Sequence, residues 1–536
     1  MSSLPNRPHP GWRAALEWLP ALALLLGVAL QLRQYVFNRS LWLDEAYLVG
    51  GMAGRDMVQL LTQPLDNNQA APLGFLVLTR MATMALGGSD WVFRLVPWLA
   101  GGAALGVAGL IGRRLFRHWA PRALLLALLG LSPVLVYYSS EFKQYTLDVL
   151  VMLALVWAAL RFSMDRPAAG AWWLAGIGAA GIWLSHPSVF VLAAVGVVLG
   201  LTACARRCWP AVGWLVAVGL VWAVSFGASY VMSLRALSGN SALGGFWTHA
   251  YAPWPPLNVD DWRWYLDGAL GLVYLALRHE GVAHHLAEPG WWDALNAVLL
   301  ALTAVGLTVM ARWQPRLAAI LVLAVVVTLA ASALKLYPFR SRLILFLAPL
   351  VPLALAYVLQ AWLDRAGGAW WRWGAVVVAA GLLLVPGVPA ARHWRAPYND
   401  ADIKSAMAHV RDHRQAGDHL MMSTWTHKAF DIYRASFGLD DLEVFAFRQT
   451  PNTRHDALAT LRRICRSTPG GRTWLLISHR FGQRAGLLDI LRSEAAVLSA
   501  FEGTGAGAYL FDFSGSPYCL RYRPAGTGAP RSGQAS

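Results

Sequence analysis

The chain has 536 residues, of which 57% are hydrophobic and only 14% are charged. Soluble domains contain roughly 45–50% apolar and about 25% charged residues, so this composition excludes an ordinary soluble protein and indicates a polytopic membrane protein. The formal net charge of +16 would suggest a nucleic-acid partner in a soluble protein. Here the basic residues are concentrated in short connections between apolar segments, so we expect no nucleic-acid partner.

Apolar segments long enough to cross a bilayer recur from residue 14 to residue 390. A spanning helix needs about 17–25 residues, and we predict about eleven spans, give or take two. They lie near residues 14–36, 91–111, 122–138, 145–162, 171–184, 187–204, 211–232, 292–311, 317–334, 341–361 and 371–389. The predicted fold class is therefore mainly α, a transmembrane helical bundle. Residues 73–87 are apolar but short and carry Arg80, so we expect an interfacial helix there.

Every second connection is basic, as the positive-inside rule requires of cytoplasmic loops. The basic positions are Arg113, Arg114, Arg117, Arg122, Arg161, Arg166, Arg206, Arg207, Arg312, Arg316, Arg365 and Arg372. This pattern predicts a multi-pass protein of the cell (inner) membrane with a cytoplasmic N-terminus. The segments 37–90, 139–144, 233–290 and 391–536 are then extracytoplasmic. Cys204 and Cys208 fall on the cytoplasmic side, whereas Cys465 and Cys519 fall outside and could pair.

After residue 390 the composition changes abruptly, which sets the boundary of a membrane domain over residues 1–390. Helical and strand patterns then alternate, so we predict an extracytoplasmic α/β domain over residues 391–522 and a disordered tail over 523–536. The predicted helices are Ile403–Arg414, Lys428–Phe437 and His455–Arg466, and the predicted strands are His419–Thr424, Leu442–Phe447 and Thr473–Ser478. The glycine-rich stretch Gly503–Gly507 is interpreted as a turn between strands, because no helix follows it.

An acidic motif follows the first predicted span, in the segment Ser40-Leu41-Trp42-Leu43-Asp44-Glu45-Ala46-Tyr47. Ionisable groups at a membrane boundary are by default functional candidates. The alternative is structural, since acidic residues favour a helix start and aromatic residues favour the membrane interface. Asp44 and Glu45 could also hold a hard divalent cation, Mg²⁺ or Mn²⁺, although no His, Cys or Asp spacing resembles a zinc site.

Further polar side chains lie at the ends of spans on the predicted outer face. They are Asp66, Gln69, Arg94, Glu141, Lys143, Tyr145, Asp148, His186, Tyr337, Arg340 and Arg342. Carboxylates can accept a proton from an attacking hydroxyl, and Lys and Arg can neutralise a phosphate, so the set suggests acid-base chemistry with anion binding. Structural alternatives remain for several members. Asp148 could pair with Lys143, the arginines could reach lipid phosphates, and His186 could be a hydrogen-bonded structural residue.

These motifs, in this order, resemble those of polytopic glycosyltransferases that use polyprenyl-phosphate sugars. This GT-C superfamily contains glycosyltransferase family 39, the protein O-mannosyltransferases, and the lipid A aminoarabinose transferases. The resemblance covers roughly residues 14–390. The matching segments are Asp44-Glu45, Gln69-Ala70-Ala71-Pro72-Leu73, Gly88-Ser89-Asp90-Trp91-Val92-Phe93-Arg94-Leu95, Tyr138-Ser139-Ser140-Glu141-Phe142-Lys143-Gln144-Tyr145 and Arg342-Leu343-Ile344-Leu345-Phe346-Leu347-Ala348-Pro349-Leu350.

The resemblance implies an enzyme that transfers a hexosyl or pentosyl unit from a polyprenyl-phosphate donor, with inversion, to an envelope lipid, glycan or protein hydroxyl. Asp44 would be the general base, and Glu45 would orient it or contact the sugar. Lys143, Arg340 and Arg342 would stabilise the leaving phosphate. Two departures leave the acceptor class open. Gln69 with Ala71-Pro72 stands where the family has His or Lys before Pro-Pro-Leu, and Lys143-Gln144-Tyr145 replaces the Arg-Pro-Tyr of many relatives.

Two other functional classes are compatible with the same composition. A lipid or solute transporter would also show many spans and buried charges, but related halves or paired broken helices are not evident in the sequence. A non-catalytic partner in envelope glycan assembly would use the external domain for binding and would leave Asp44-Glu45 without a role.

Overall fold

The structure is a computed structural model that describes residues 16–66, 69–235, 245–278, 291–365, 367–447, 454–467, 471–478, 485–516 and 519. It divides into two compact units. The membrane unit comprises Met1–Asn38 and Gly54–Pro397, and the C-terminal unit comprises Arg39–Ala53 and Tyr398–Ser536. The predicted disordered tail, 523–536, lies outside the described residues.

The helices of the membrane unit follow the predicted spans closely. They are α1 (Leu19–Phe37), α3 (Met57–Thr62), α4 (Leu73–Leu86), α5 (Asp90–Phe93), α6 (Leu95–Leu115), α7 (Trp119–Gly130), α8 (Pro133–Tyr138), α9 (Tyr145–Arg161), α10 (Pro167–Leu184), α11 (Ser188–Ala205), α12 (Trp209–Ser229), α13 (Val259–Leu277), α14 (Trp291–Trp313), α15 (Pro315–Ala333), α16 (Leu350–Arg365) and α17 (Ala369–Arg395). A π-helical turn, Tyr230–Leu234, extends α12, and a 3₁₀ segment, Ser341–Leu347, precedes α16.

By length and apolar composition, seven helices in the described part of the chain can cross a membrane. They become eight if the bent pair formed by the 3₁₀ segment and α16, with 42° between its halves, counts as one span. The other three predicted spans coincide with helices that are shorter, broken or less apolar: α7 with α8, α9, and α10. The break between α7 and α8 falls before Pro133, where Ser132 caps the new helix.

The close packing of α1 against α7 depends on glycine. A Cβ atom added to Gly27 in α1 would lie 2.6 Å from the Cα atom of Gly130 in α7. Small residues let two membrane helices approach until their backbones touch. In lipid no hydrophobic force drives helices together, so such van der Waals packing stabilises their association. The crossing of α1 and α7 therefore requires glycine on both sides.

Among the helices of the membrane unit that lie outside the predicted spans, α4 and α13 are the longest. Helix α4 has 14 residues and is about 21 Å long, which is shorter than the roughly 30 Å core of a bilayer. Helix α13 was not predicted, because Asp260, Asp261 and Asp267 lower its hydropathy. Asn258 and Asp261 form a capping box at its start, and the apolar side chains of its last two turns are buried.

The C-terminal unit has the alternation of helices and strands that the sequence predicts. Its elements are α18 (Ile403–His413), β1 (His419–Ser423), α19 (Thr424–Tyr433), β2 (Val444–Phe447), α20 (Arg454–Ser467), β3 (Arg472–Ser478), α21 (Ala485–Glu494), β4 (Ala496–Gly503) and β5 (Ala506–Asp512). The sheet order is β2-β1-β3-β5-β4, with β2, β1 and β3 parallel and β4 and β5 antiparallel. Helix α19 begins four residues earlier than predicted, because the Ser423 hydroxyl caps it by accepting from the Thr426 N–H.

In this unit the structure agrees with one local prediction, the turn between strands, and it also pairs two cysteines whose pairing the sequence left open. The stretch Gly503–Gly507 is the turn between β4 and β5, and Gly505 has φ of +62°, a conformation that favours glycine. Cys465 in α20 and Cys519, after the last strand, form a disulfide with their Cα atoms 4.8 Å apart. Both cysteines are buried.

The acidic motif belongs to the C-terminal unit although it precedes most of the membrane helices in sequence. It forms helix α2 (Leu43–Met52), which packs against α19. The Leu41 N–H donates to the Tyr433 hydroxyl at 3.0 Å, and the Lys404 N–H donates to the Ser40 hydroxyl at 3.1 Å. Two hydrogen bonds thus tie the residues before α2 to the C-terminal part of the chain.

Candidate active site

Glu45 is the buried member of the acidic pair. One carboxylate oxygen accepts from Arg39 Nη1 at 2.9 Å and from the Trp42 N–H at 2.8 Å. The second bond closes a capping box at the start of α2, and the Arg39 guanidinium supplies the opposite charge in a region that excludes water. The Glu45 carboxylate therefore stabilises the start of α2, and both side chains of the ion pair, Arg39 and Glu45, are buried.

Asp44 precedes Glu45 by one position and has a different environment. Successive residues of a helix are about 100° apart around its axis, so the two carboxylates leave α2 in different directions. Asp44 is partly exposed. The pKa of Tyr47 is raised mainly by burial of its phenol and secondly by the nearby charge of Asp44. Asp44 is thus the carboxylate of the pair that has surface available to a substrate.

In the membrane unit, three motifs distant in sequence meet around residues 142–143. Lys143 Nζ donates to Gln69 Oε1 at 2.7 Å, and Lys143 is 4% exposed. The adjacent ring of Phe142 packs against Phe75 at 5.5 Å and against Phe93 at 5.2 Å between ring centroids. The fully buried Phe142 therefore fixes the position of the lysine that follows it.

A second group of polar side chains surrounds the first turn of α9. The Arg342 guanidinium lies 5.8 Å from the centre of the Tyr145 ring, which also contacts the Tyr138 ring at 4.9 Å. Asp148 is buried one turn further along, and its Oδ1 has no hydrogen-bond partner among the described residues. The pKa of Tyr337 is raised mainly by burial and secondly by the nearby charge of Asp148. The phenol of Tyr337 therefore stays protonated.

We call Gln69, Lys143, Tyr145, Asp148, Tyr337 and Arg342 the span-end cluster. The suggested ion pair between Asp148 and Lys143 is not found among the described residues, where Lys143 donates to Gln69. The cluster thus offers two cations and a buried carboxylate in one region. Such a set can hold an anionic group by charge and orient hydroxyl groups by hydrogen bonding.

Four further predicted residues are not members of the span-end cluster, although the Lys143 N–H donates to the Glu141 carbonyl at 2.6 Å. Asp66 is largely exposed and pairs with Arg55 at 3.0 Å. Arg94 is fully buried between α5 and α6, with one guanidinium nitrogen 3.5 Å from Asn38 Oδ1. Arg340 is exposed, and Glu141 is buried in the turn before Lys143. These contacts favour structural roles for Asp66 and Arg94.

His186 lies in the turn between α10 and α11, next to Ser185, which is close to Asp148. Desolvation of the imidazole lowers the pKa of His186 to about 4, so the ring is neutral near pH 7. A neutral imidazole can donate or accept a hydrogen bond but cannot balance a phosphate charge. Of the predicted residues, His186 is thus unsuited to charge neutralisation.

Sequence reasoning missed three residues that support the acidic motif. Arg39 immediately precedes the motif, and its charge was an available signal. Tyr433 and Lys404 contact Leu41 and Ser40 from more than 360 positions away, and Lys404 Nζ also lies 5.2 Å from the Tyr433 ring centre. No local pattern could indicate that pairing.

The proposed hard-cation site at Asp44 and Glu45 fits the geometry poorly. Glu45 already accepts two hydrogen bonds, one of them from a buried guanidinium, so it would have to give up Arg39 to bind a metal. Among the residues that the structure describes, no group of three or more His, Cys, Asp or Glu side chains could hold a metal ion.

Comparisons with known proteins give a match in structure alone. No family model and no curated protein matches the sequence. The crystal structure of ArnT from Cupriavidus metallidurans in the apo state matches with a TM-score of 0.50 and 14% sequence identity, over 93% of this chain and 98% of that one. The crystal structure of the same protein bound to undecaprenyl phosphate has the same coverage, 14% identity and a TM-score of 0.49. The chain has an ArnT-like fold along almost its whole length.

Proposed function

We propose that this protein is a membrane glycosyltransferase that moves a sugar from a polyprenyl-phosphate donor to a hydroxyl group of an envelope lipid, glycan or protein. The observation that carries the proposal is the meeting of distant motifs at Lys143. Its ammonium group bonds Gln69 across 74 positions, and the neighbouring Phe142 joins the segments that contain Phe75 and Phe93. The ArnT-like fold supports the same conclusion.

The reaction requires a base, a nucleophile and a stabilised leaving group. Asp44 takes the proton of the acceptor hydroxyl as its oxygen attacks the anomeric carbon. The bond between that carbon and the phosphate oxygen breaks, and polyprenyl phosphate leaves with the electron pair, so the anomeric configuration inverts. Because phosphate is a good leaving group, no second acid is needed. Lys143 and Arg342 stabilise the negative charge on the departing phosphate.

The remaining residues have supporting roles in this proposal. Glu45, held by Arg39, fixes the start of α2 and hence the direction of Asp44. Gln69, Tyr145, Asp148 and Tyr337 bind the donor, with Asp148 accepting from sugar hydroxyls. No step is assigned to a divalent cation.

We place the C-terminal unit on the extracytoplasmic side of the cell membrane. The disulfide between Cys465 and Cys519 supports this side, because disulfides persist in oxidising compartments. Cys204 and Cys208, next to the basic Arg206 and Arg207, are unpaired. The reducing cytoplasm would keep these two cysteines as free thiols.

The test is a transfer assay with purified protein in lipid nanodiscs. The protein is supplied with undecaprenyl-phosphate sugars, one at a time, and an envelope extract. Release of undecaprenyl phosphate and labelling of an acceptor are both followed by mass spectrometry. We expect release to depend on the acceptor and to give an inverted linkage. Absence of release with every hexosyl and pentosyl donor, from a correctly folded protein, would overturn the proposal. Adding EDTA, Mg²⁺ or Mn²⁺ in parallel measures any metal requirement.

A further inference from the structure

A cavity of about 250 Å³ lies within the membrane unit, among α6, α9, α11 and α15. It is at the end of α9, near Leu160, twelve positions after Asp148 and thus about 18 Å from the span-end cluster along the helix. Nothing in the proposed transfer reaction uses it. Its helix ends carry the basic connections that predict the cytoplasmic side of the membrane.

The rim of the cavity is cationic. Arg114 Nε donates to the Leu160 carbonyl at 3.1 Å, which fixes the guanidinium at the rim while its terminal N–H groups remain available. Arg316, half-buried in the first turn of α15, also lines the cavity. Arg206 at the end of α11 is close enough to repel Arg316.

None of these three arginines forms an ion pair with a carboxylate in the described part of the chain. Like charges held near one another in a partly desolvated region repel, and the repulsion is relieved by a bound anion. Guanidinium groups suit a phosphate, because they can donate two parallel hydrogen bonds to it. The rim is therefore built to receive a phosphate-type anion.

The wall behind the rim is aliphatic, with Val156, Leu199 and Ile320 among its residues. A free anion would use the rim alone, whereas a phospholipid would use the rim for its phosphate and the wall for an acyl chain. Basic pockets between helices on the cytoplasmic side are known sites for anionic lipid head groups. We propose that this cavity binds one anionic phospholipid, with its phosphodiester between Arg114 and Arg316.

The experiment compares two double variants by native mass spectrometry during titration of the delipidated protein with phosphatidylglycerol. Arg114→Gln with Arg316→Gln removes the two rim charges. Arg113→Gln with Arg312→Gln removes two exposed charges, near the ends of α6 and α14, that do not line the cavity. We expect one tightly retained lipid in the wild type, an affinity about 30-fold lower in the rim variant, and little change in the control.

Three results would overturn the proposal. Equal losses in both double variants would mean general attraction to a basic surface, and equal binding of phosphatidylcholine would mean an apolar groove without charge selection. Inorganic phosphate that stabilises the protein as much as the lipid does would assign the cavity to a small anion.

If the rim variant does not fold, the single variant Arg316→Gln is used, because this side chain donates no hydrogen bond in the described structure. Unchanged lipid retention by Arg316→Gln would also reject the site.

Discussion

The two neighbouring carboxylates of the acidic motif have different surroundings, and these surroundings assign them different tasks. Glu45 is enclosed with Arg39 and holds the start of α2, whereas Asp44 keeps exposed surface. A residue that is buried and committed to a cap contributes to stability, and a residue with access to substrate can exchange a proton. Substitution can separate these two contributions.

We expect Asp44→Asn to lower the transfer rate by about 10²–10⁴-fold, because the amide cannot accept the proton, while the thermal midpoint stays unchanged. Glu45→Gln should instead destabilise the C-terminal unit by about 3–5 kcal/mol, since the buried Arg39 guanidinium would lose the opposite charge of Glu45. Transfer assays and thermal unfolding on the same preparations measure both. Asp412→Asn, an exposed carboxylate of the same unit, is the control. An Asp44→Asn protein with full activity would contradict the assignment.

Arg342 and Arg340 form a natural pair for testing phosphate binding. Arg342 lies against Tyr145, whereas Arg340, two positions earlier, is exposed. We expect Arg342→Gln to weaken donor binding and turnover together, and Arg342→Lys to restore only part of the loss, because an ammonium keeps the charge without the bidentate geometry. Arg340→Gln should be nearly silent. Binding of undecaprenyl phosphate to the three variants in detergent is the measurement, and equal effects of both Gln variants would remove Arg342 from the site.

At the scale of elements, the acidic motif is held by a helix that the sequence places almost four hundred residues later. The Leu41 N–H depends on the Tyr433 hydroxyl in α19 for its hydrogen bond. We expect Tyr433→Phe to cost about 1–3 kcal/mol, because a buried N–H loses its acceptor while the ring remains. The maximal rate should fall with little change in donor affinity, since the motif loses its alignment. A variant that is less stable but retains the full rate would show that Tyr433 is purely structural.

Helix packing gives a prediction that is independent of the proposed activity. Gly130→Val should destabilise the membrane unit by about 1–3 kcal/mol or more, because the new side chain would meet the backbone of α1 at Gly27. Gly102→Ala in α6 has open space around it and serves as the control. Thermal unfolding in detergent compares the two variants. Equal midpoints would contradict the close crossing of α1 and α7.

The sequence predicted best those elements that a local residue pattern marks. Apolar periodicity located the spans, and alternation located β1, β2, β3 and the turn at Gly505. It missed α13, because the charges on its exposed first turns hid the apolar turns that follow. For Arg94 and Asp66 the sequence could not distinguish a site residue from a structural one, because a charge at a span end looks alike whether it meets a substrate, Asn38 or Arg55. Contacts across the chain, such as that of Tyr433, leave no local pattern.

At the scale of the whole molecule, the cysteines report the topology. If the C-terminal unit is extracytoplasmic, Cys465 and Cys519 should resist a maleimide until a reductant and a denaturant are added. Cys204 is exposed and unpaired, and it should react only with a reagent that crosses the membrane. Labelling of intact cells with permeant and impermeant maleimides, followed by mass spectrometry of peptides, distinguishes the two sides. Reaction of Cys204 with the impermeant reagent would reverse the assigned orientation.

The placement of residues 39–53 in the C-terminal unit also sets an order for biosynthesis. The hydrogen bonds from Ser40 and Leu41 reach partners 364 and 392 positions further along the chain. At about 5–20 residues per second, ribosomes need roughly 20–80 seconds to add those partners. During that interval the helices can enter the bilayer one after another, but the acidic motif has nothing to fold against. The nascent chain therefore cannot align Asp44 until Tyr433, about four-fifths of the way along the 536 residues, has been synthesised. A chain that stops short of Tyr433 would occupy the membrane without acquiring the proposed activity.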